Sequence, residues 1–381
     1  MARIAVVSQW LLGHIVPALG IGAELARRGH EVSMLAAAPF RALIEQAGLK
    51  HVEIVCGKYP HKFMEAALNE IDALFASMQP DLVLCDSALS APAYAAEKRG
   101  LPWVSYQTAV YIPDEQVPGV QRVNERLRAM YRDELNALRQ QHGLPPLADE
   151  VRTRGDFAGL SADLHLMLFL EELLPGPVEL PRGSRIVGPC TFEPESAIPL
   201  ARPARSTELP NIIVCTSSAD KPGYTEKTRC YLEHALAAFP EGSAQLYMAA
   251  DAGIVDLAGG FGAHVRWVGS HPNHHLLFPY ADVIVTHGGC GTLQKAIRHG
   301  VPTIIIPLGS DHIRLAERCA ELGIAKVMSL EAINAESLRR AVQQALADQQ
   351  MKQSIARLSG KVDEQNSNRR AADEIEKRLL R

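Results

Sequence analysis

ADVIVTHGGCGTLQKAIRHG, residues 281–300, is an apolar strand that runs into a glycine-rich turn and straight on into a helix. A turn without side-chain bulk at a helix start leaves several backbone N–H groups unpaired at the positive end of the helix dipole, a ready seat for a phosphate or diphosphate. Gly288, Gly289 and Gly291 allow close backbone approach there, His287 offers a ring nitrogen and Thr292 a hydroxyl. Cys290 fits the same turn as small packing volume better than as a nucleophile. A glycine pair alone says little. Between a strand and a helix it marks an α/β unit with an anionic ligand at its carboxyl edge, although a turn that only packs helix on sheet has the same composition.

Outward from this stretch the alternation continues. Residues 212–216, 245–249, 264–268, 303–307 and 325–328 read as further strands or strand ends, with helices over 225–239, 291–299, 313–322 and 336–347. The first half has the same rhythm: strands over 3–8, 31–37, 82–85 and 103–107, separated by helices over 16–28, 40–46, 61–78 and 88–98. Strand and helix alternating at this spacing imply parallel strands joined by crossover helices. Residues 120–141 form a long charged amphipathic helix, and 164–170 another apolar run. Residues 188–211 hold five prolines and little periodicity, which makes them the linker. The expected organisation is an acceptor-side Rossmann-like domain over 1–190, a proline-rich linker over 191–210, a second Rossmann-like domain over 211–360 and a terminal helix over 361–381 packed back toward the first domain. Two such units would face each other across a deep cleft at their strand ends, where open α/β sheets bind ligands.

With 381 residues of which 47% are hydrophobic, two full cores are attainable. A formal charge of −4 gives no electrostatic reason to expect a nucleic-acid partner, so small molecules are the expected ligands. The seven cysteines include no CxxC pair and suit a reducing compartment. The opening MARIAVVSQW lacks a secretory pattern, and no stretch reaches the roughly 20 apolar residues that cross a bilayer. The expectation is a cytoplasmic protein without stable membrane insertion, monomeric or homodimeric.

In the first half, Gly13-His14-Ile15-Val16-Pro17 follows the first strand, with Pro17 expected in the first helical turn. His14 there is either a hydrogen-bond partner of the turn or a general base. Asp86 follows the strand LVLC and should emerge on the same carboxyl edge, where its carboxylate would fix the tautomer of His14 and stabilise the imidazolium, or else cap the next helix. In the second half, Ser217 and Ser218 end a strand and are placed for phosphate or sugar contacts, or to cap the turn at Lys221. Asp311 and His312 follow IIIPLGS, where a carboxylate and an imidazole can bind vicinal hydroxyls. His271, His274 and His275 complete no four-ligand set, so no metal is expected. Val6-Val7-Ser8-Gln9-Trp10 is not followed by GxGxxG, which disfavours a dinucleotide redox site.

The combination resembles the GT-B glycosyltransferases of the UDP-glycosyltransferase-like family, especially bacterial enzymes that decorate small natural products. GHIVPALGIGAELARRGHEVSMLA is similar to the family's N-terminal GHxxPxxxLAxxLxxRGHxVxxxA, and THGGCGTLQKAIRHGVPTIIIPLGSDHIRLAERCAELGIA to its donor signature. The resemblance spans nearly the whole chain. It implies a GT-B fold and inverting transfer of a sugar from a UDP- or dTDP-linked donor to a small-molecule hydroxyl, with no cofactor and no metal. By it, His14 is the base and Asp86 its partner. Ser218, His287, Gly289, Cys290, Gly291 and Thr292 hold the diphosphate, Asp311 and His312 the donor sugar, and Trp267, Val268 and Asn273 lie in the nucleobase region. The chain departs from common family residues at His312 (often glutamine), Lys295 (often glutamate) and Ser217 (often glycine). A nucleotide-sugar 2-epimerase and a non-catalytic auxiliary protein share the architecture and stand as the alternatives. A peptidoglycan-type lipid glycosyltransferase fits less well, because the first loop lacks a run of glycines.

Overall fold

The computed structural model describes residues 1–55, 64–113, 116, 123–147, 161, 163–195, 209–216, 223–250, 262–268, 274–309 and 312–380. It divides the chain into two compact units, Met1–Pro194 with Glu364–Arg381, and Glu195–Asp363.

The first unit contains β1 (Arg3–Val7), α1 (Leu12–Arg27), β2 (Glu31–Ala36), α2 (Arg41–Gln46), β3 (Lys50–Glu53), α3 (Met64–Met78), β4 (Leu82–Asp86), α4 (Ala91–Lys98), β5 (Trp103–Gln107), α5 (Val123–Gln141), β6 (His165–Met167) and β7 (Ser184–Ile186). Its strands pair in the order β3-β2-β1-β4-β5-β6-β7, all parallel. The second unit contains β8 (Asn211–Cys215), α6 (Tyr224–Ala238), β9 (Gln245–Ala249), β10 (Val265–Trp267), α7 (His274–Leu277), β11 (Val283–Thr286), α8 (Cys290–Arg298), β12 (Thr303–Ile305), α9 (His312–Glu321), β13 (Ala325–Val327), α10 (Ala335–Ala347) and α11 (Gln349–Ser359). Its parallel sheet has the order β10-β9-β8-β11-β12-β13. The last helix, α12 (Glu364–Leu379), returns to the first unit.

Both sheets start at their centre. The chain winds outward on one side, then crosses back to the other, so strand order reverses between β1 and β4 and again between β8 and β11. At such a reversal the two following loops diverge to opposite faces and open a crevice at the carboxyl edge. Apolar residues on both faces hold the first sheet between helices, as a parallel sheet requires. Ile4 and Val6 join one core with Ile15, Leu19 and Ile375, while Ala5 and Val7 join the other with Phe75 and Tyr94. In the second unit Tyr231, fully buried on α6, donates its hydroxyl to the carbonyl of Cys215 and sets that helix against the end of β8.

Several boundaries differ from the sequence expectation. Helix α1 begins at Leu12, so Pro17 lies inside the helix rather than in its first turn. That removes one backbone donor, a cost outweighed by the buried Ile15, Val16, Leu19 and Ile21 on the same element. Strands β3 and β7 were not expected, since KHVE and SRI carry no apolar run. They are the two edges of the first sheet, where burial is partial and pattern weak. Residues 196–208 of the expected linker lie outside the described residues.

Candidate active site

His14 occupies the first turn of α1, where the N–H groups of His14 and Ile15 both bond to the carbonyl of Leu11. Helical side chains lean toward the N-terminus, so its ring points back to the carboxyl edge of β1. Asp86 is the last residue of β4, the neighbour across the strand reversal, with Val7 of β1 in register with Cys85. The two side chains meet: His14 Nδ1 lies 2.6 Å from Asp86 Oδ2. Asp86 is 1% exposed and its carboxylate gathers further donors, Gln9 N to Oδ2 at 3.2 Å and Ala88 N to Oδ1 at 2.9 Å. The helix that follows has Ser90, not Asp86, at its N-cap position. Asp86 therefore shapes its own turn with one oxygen and faces the imidazole with the other. Burial first, then the Asp86 charge, push the Cys85 thiol and the Tyr106 phenol well above their ordinary values, so neither is a ready nucleophile.

Thr108 escaped the sequence reasoning. Its Oγ1 is 3.4 Å from His14 Nδ1, and its signal was positional, as the first residue after β5. Among the described residues, the hydrogen-bond contacts of the His14 ring fall on Nδ1. Nε2 is the nitrogen left to act as a base once Nδ1–H donates to Asp86.

The second cluster sits at the other strand reversal. His287 follows β11, whose Thr286 is in register with Cys215 of β8 and Ile305 of β12. Gly288 has φ +89°, and a Cβ there would lie 2.7 Å from Ile305 Cγ2, so the turn requires glycine on both counts. Gly289 is the N-cap residue of α8, and Cys290, Gly291 and Thr292 form its first turn. These amides begin a nine-residue helix beside the buried His287 ring. His312, the first residue of α9, lies edge-on to His287 with ring centroids 4.8 Å apart. Tyr224 of α6 approaches His312 at 6.4 Å, and Lys227 donates from Nζ to the carbonyl of Leu308 at 3.3 Å. Lys227 thus adds a cation beside the loop that leads to His312, a contribution that no strand-end motif signalled.

Trp267 ends β10 and Val268 follows it, buried. That strand is separated from β11 by β9 and β8, about 14 Å at ordinary strand spacing. Ser217, Ser218, Asn273, Asp311 and His271 lie outside the described residues. His274 stacks on Phe278 at 4.7 Å. Among the described residues no helix is long and apolar enough to cross a membrane.

Two family models match, one on each side of the linker. Residues 12–105 match the glycosyltransferase family 28 N-terminal domain, and residues 234–380 match the C-terminal domain of erythromycin biosynthesis protein CIII-like proteins. The 4'-demethylrebeccamycin synthase of Lentzea aerocolonigenes is 24% identical, with 94% of each chain covered. The solved glycosyltransferase of kitacinnamycin superposes with a TM-score of 0.78 at 23% identity over 99% of both chains. The glycosyltransferase VinC, solved in complex with dTDP, superposes at 0.72 and 20% identity over 99% of this chain and 98% of its own. Two parallel sheets that share the order of their first six strands, the first sheet adding β7 at its edge, and matches on both halves lead to one conclusion: the chain belongs to the GT-B glycosyltransferases of the bacterial natural-product, UDP-glycosyltransferase-like family.

Proposed function

We propose that this protein transfers a sugar from a UDP- or dTDP-linked donor to a hydroxyl of a small natural-product acceptor, with inversion at the anomeric carbon. The observation that carries the reading is the 2.6 Å contact between His14 Nδ1 and the buried Asp86 carboxylate. Asp86 accepts a hydrogen bond from Nδ1–H, so Nε2 presents its lone pair. The acceptor hydroxyl gives its proton to Nε2 as its oxygen attacks the anomeric carbon, and the bond from that carbon to the diphosphate oxygen breaks on the opposite face. The imidazolium formed is stabilised by Asp86, and the nucleoside diphosphate leaves with the bonding electron pair.

The charge that grows on the diphosphate falls to the second unit. The amides at the start of α8, the His287 ring and the Thr292 hydroxyl supply preorganised donors, with Ser218 assigned to the same anion. Asp311 and His312 are assigned to the donor sugar hydroxyls, and Trp267, Val268 and Asn273 to the nucleobase. This chemistry calls for neither a metal nor a protein nucleophile. Relatives that include an NDP-glycosyltransferase of Bacillus subtilis and the O-mycaminosyltylonolide 6-deoxyallosyltransferase of Streptomyces fradiae are transferases by name, which supports transfer over epimerisation or an auxiliary role.

The test is His14→Ala in an assay of acceptor-dependent nucleoside diphosphate release. The expected result is a fall in kcat of about 10² to 10⁴, the usual contribution of general base catalysis, with nucleotide affinity unchanged. Unchanged turnover would remove His14 from the mechanism.

A further inference from the structure

Between β5 and β6 the chain makes a long excursion that carries α5, and a line of buried side chains ties its two ends together. At the far end, Ser161 N donates to Ser105 Oγ at 2.8 Å. Ser105 Oγ is 2.8 Å from His165 Nδ1, and His165 Nε2 is 3.3 Å from Gln107 Oε1. At the near end, Gln107 Nε2 donates to the carbonyls of Ala109 at 2.8 Å and Tyr111 at 3.0 Å. Ser105 and His165 are fully buried, and Ser161 and Gln107 are each 2% exposed.

Only one arrangement of protons satisfies this line. The amide nitrogen of Gln107 faces two carbonyls, which can only accept, so the atom turned to His165 is the carbonyl oxygen. His165 must then carry its proton on Nε2, and its Nδ1 must accept from the Ser105 hydroxyl. Ser105 in turn accepts from the Ser161 amide. The arrangement needs a neutral imidazole, and burial keeps it neutral by lowering its pKa to about 3. Thr108, whose hydroxyl borders His14 at 3.4 Å, lies between the residue that grips and the first residue gripped.

We infer that Gln107 and His165 are positioning residues that clamp both ends of the excursion between β5 and β6, and through Thr108 and residues 109–111 set the acceptor side of the site next to His14. The inference rests on the proposed reading that the acceptor meets its base on the first unit. A buried polar line with every member satisfied admits one geometry, whereas removal of one member leaves its neighbours desolvated and unpaired. The clamp therefore acts as a unit: a cut at either end loosens both.

Hydrogen exchange measured by mass spectrometry on the full chain tests this without any substrate. Ser105→Ala cuts the line at the Ser161 end, and Gln107→Met cuts it at the loop end. Each is expected to speed exchange by tenfold or more at both 109–112 and 163–166. His165→Gln, whose amide can accept from Ser105 and donate to Gln107, is expected to restore exchange to within threefold of wild type. Acceleration confined to the cut end in Ser105→Ala overturns the clamp, and this holds even if Gln107→Met does not fold. A kinetic arm uses dTDP-glucose or UDP-glucose with 4-methylumbelliferone as the probe acceptor. Gln107→Met should raise the acceptor KM at least tenfold, with nucleotide affinity, a property of the other unit, within twofold. An acceptor KM within twofold of wild type also overturns the inference. Wild-type protein that releases no nucleoside diphosphate in response to any acceptor would count against glycosyl transfer, while the exchange arm still decides the clamp.

Discussion

His14 and Asp86 stand 72 positions apart in the chain and 2.6 Å apart in the fold. Their residue types and their places at strand ends were legible, because each follows an apolar run that reads as a strand. The division of labour on Asp86, one oxygen for its own turn and one for the ring, was not, since capping and pairing had looked like alternatives. His165 gave no sign at all: a histidine in an apolar run looks like any core residue until its partners are in place. Its burial has a consequence for stability. The folded pKa, about 3, lies below the ordinary 6.5, so between those values the unfolded chain binds more protons than the folded one and stability falls as pH drops. The slope is about 1.4 kcal/mol per pH unit, or about 2 kcal/mol lost between pH 6.5 and pH 5. Glu24, lowered to about 2 mainly by its hydrogen bond to Arg27, loses its contribution only below its ordinary 4.5, so the upper part of the His165 window, from pH 6.5 to 4.5, is free of it. Urea unfolding of wild type and His165→Gln at pH 7 and pH 5 should show a steeper acid loss in wild type. Parallel losses would mean that His165 is protonated without penalty.

Among elements, helices are held at their ends by caps as well as along their length by apolar stripes. Helix α10 is the clearest case. Asn334 accepts from Ser337 N at 2.9 Å, and Ser337 Oγ accepts from Asn334 N at 2.9 Å, a reciprocal capping box. Asn334→Ala should cost about 1 kcal/mol by chemical unfolding, and no change would show that water replaces the cap. The start of α8 was read within one residue, because Gly288 and Gly289 mark where the strand must turn. The start of α1 was misjudged by four residues. Proline usually opens helices, but here the residues before it already bond to Leu11 and bury Ile15 and Val16, and tertiary packing overrides the local preference. Edge strands β3 and β7 were missed because an edge needs no apolar run, only a partner with open backbone groups.

At the scale of the molecule, α12 completes the first unit from the far end of the chain. Ala371, Ala372 and Ile375 are fully buried in the core shared with α1, and burial of Ile375 alone is worth about 2 kcal/mol. Gly20 of α1 permits the fit: a Cβ there would come within 2.2 Å of the Thr191 carbonyl oxygen, which in turn accepts from Asn368 Nδ2 at 2.9 Å. Arg28 reaches Asp373 at 2.7 Å and Glu376 at 2.6 Å, and His30 reaches Glu376 at 3.0 Å. Removal of residues 364–381 should therefore unfold or aggregate the first unit and abolish transfer, while the second unit still binds dTDP or UDP. Calorimetry on the truncated chain would settle it, and a first-unit transition at the wild-type temperature would mean that α12 is dispensable.

The sequence by itself determined the α/β class, the two halves, the glycine turn at the start of α8 and the residue types at each strand end, because periodicity and turn chemistry are local and act within a few residues. Only the tertiary structure decided the strand order that sets β1 beside β4 and β8 beside β11, the choice for Asp86 of pairing with His14 over capping the next helix, and the line from Ser161 to Gln107. Each of these depends on contacts between residues distant along the chain. Such contacts form when buried apolar faces are matched and polar groups find partners across them, and no local pattern encodes which distant segment supplies the match.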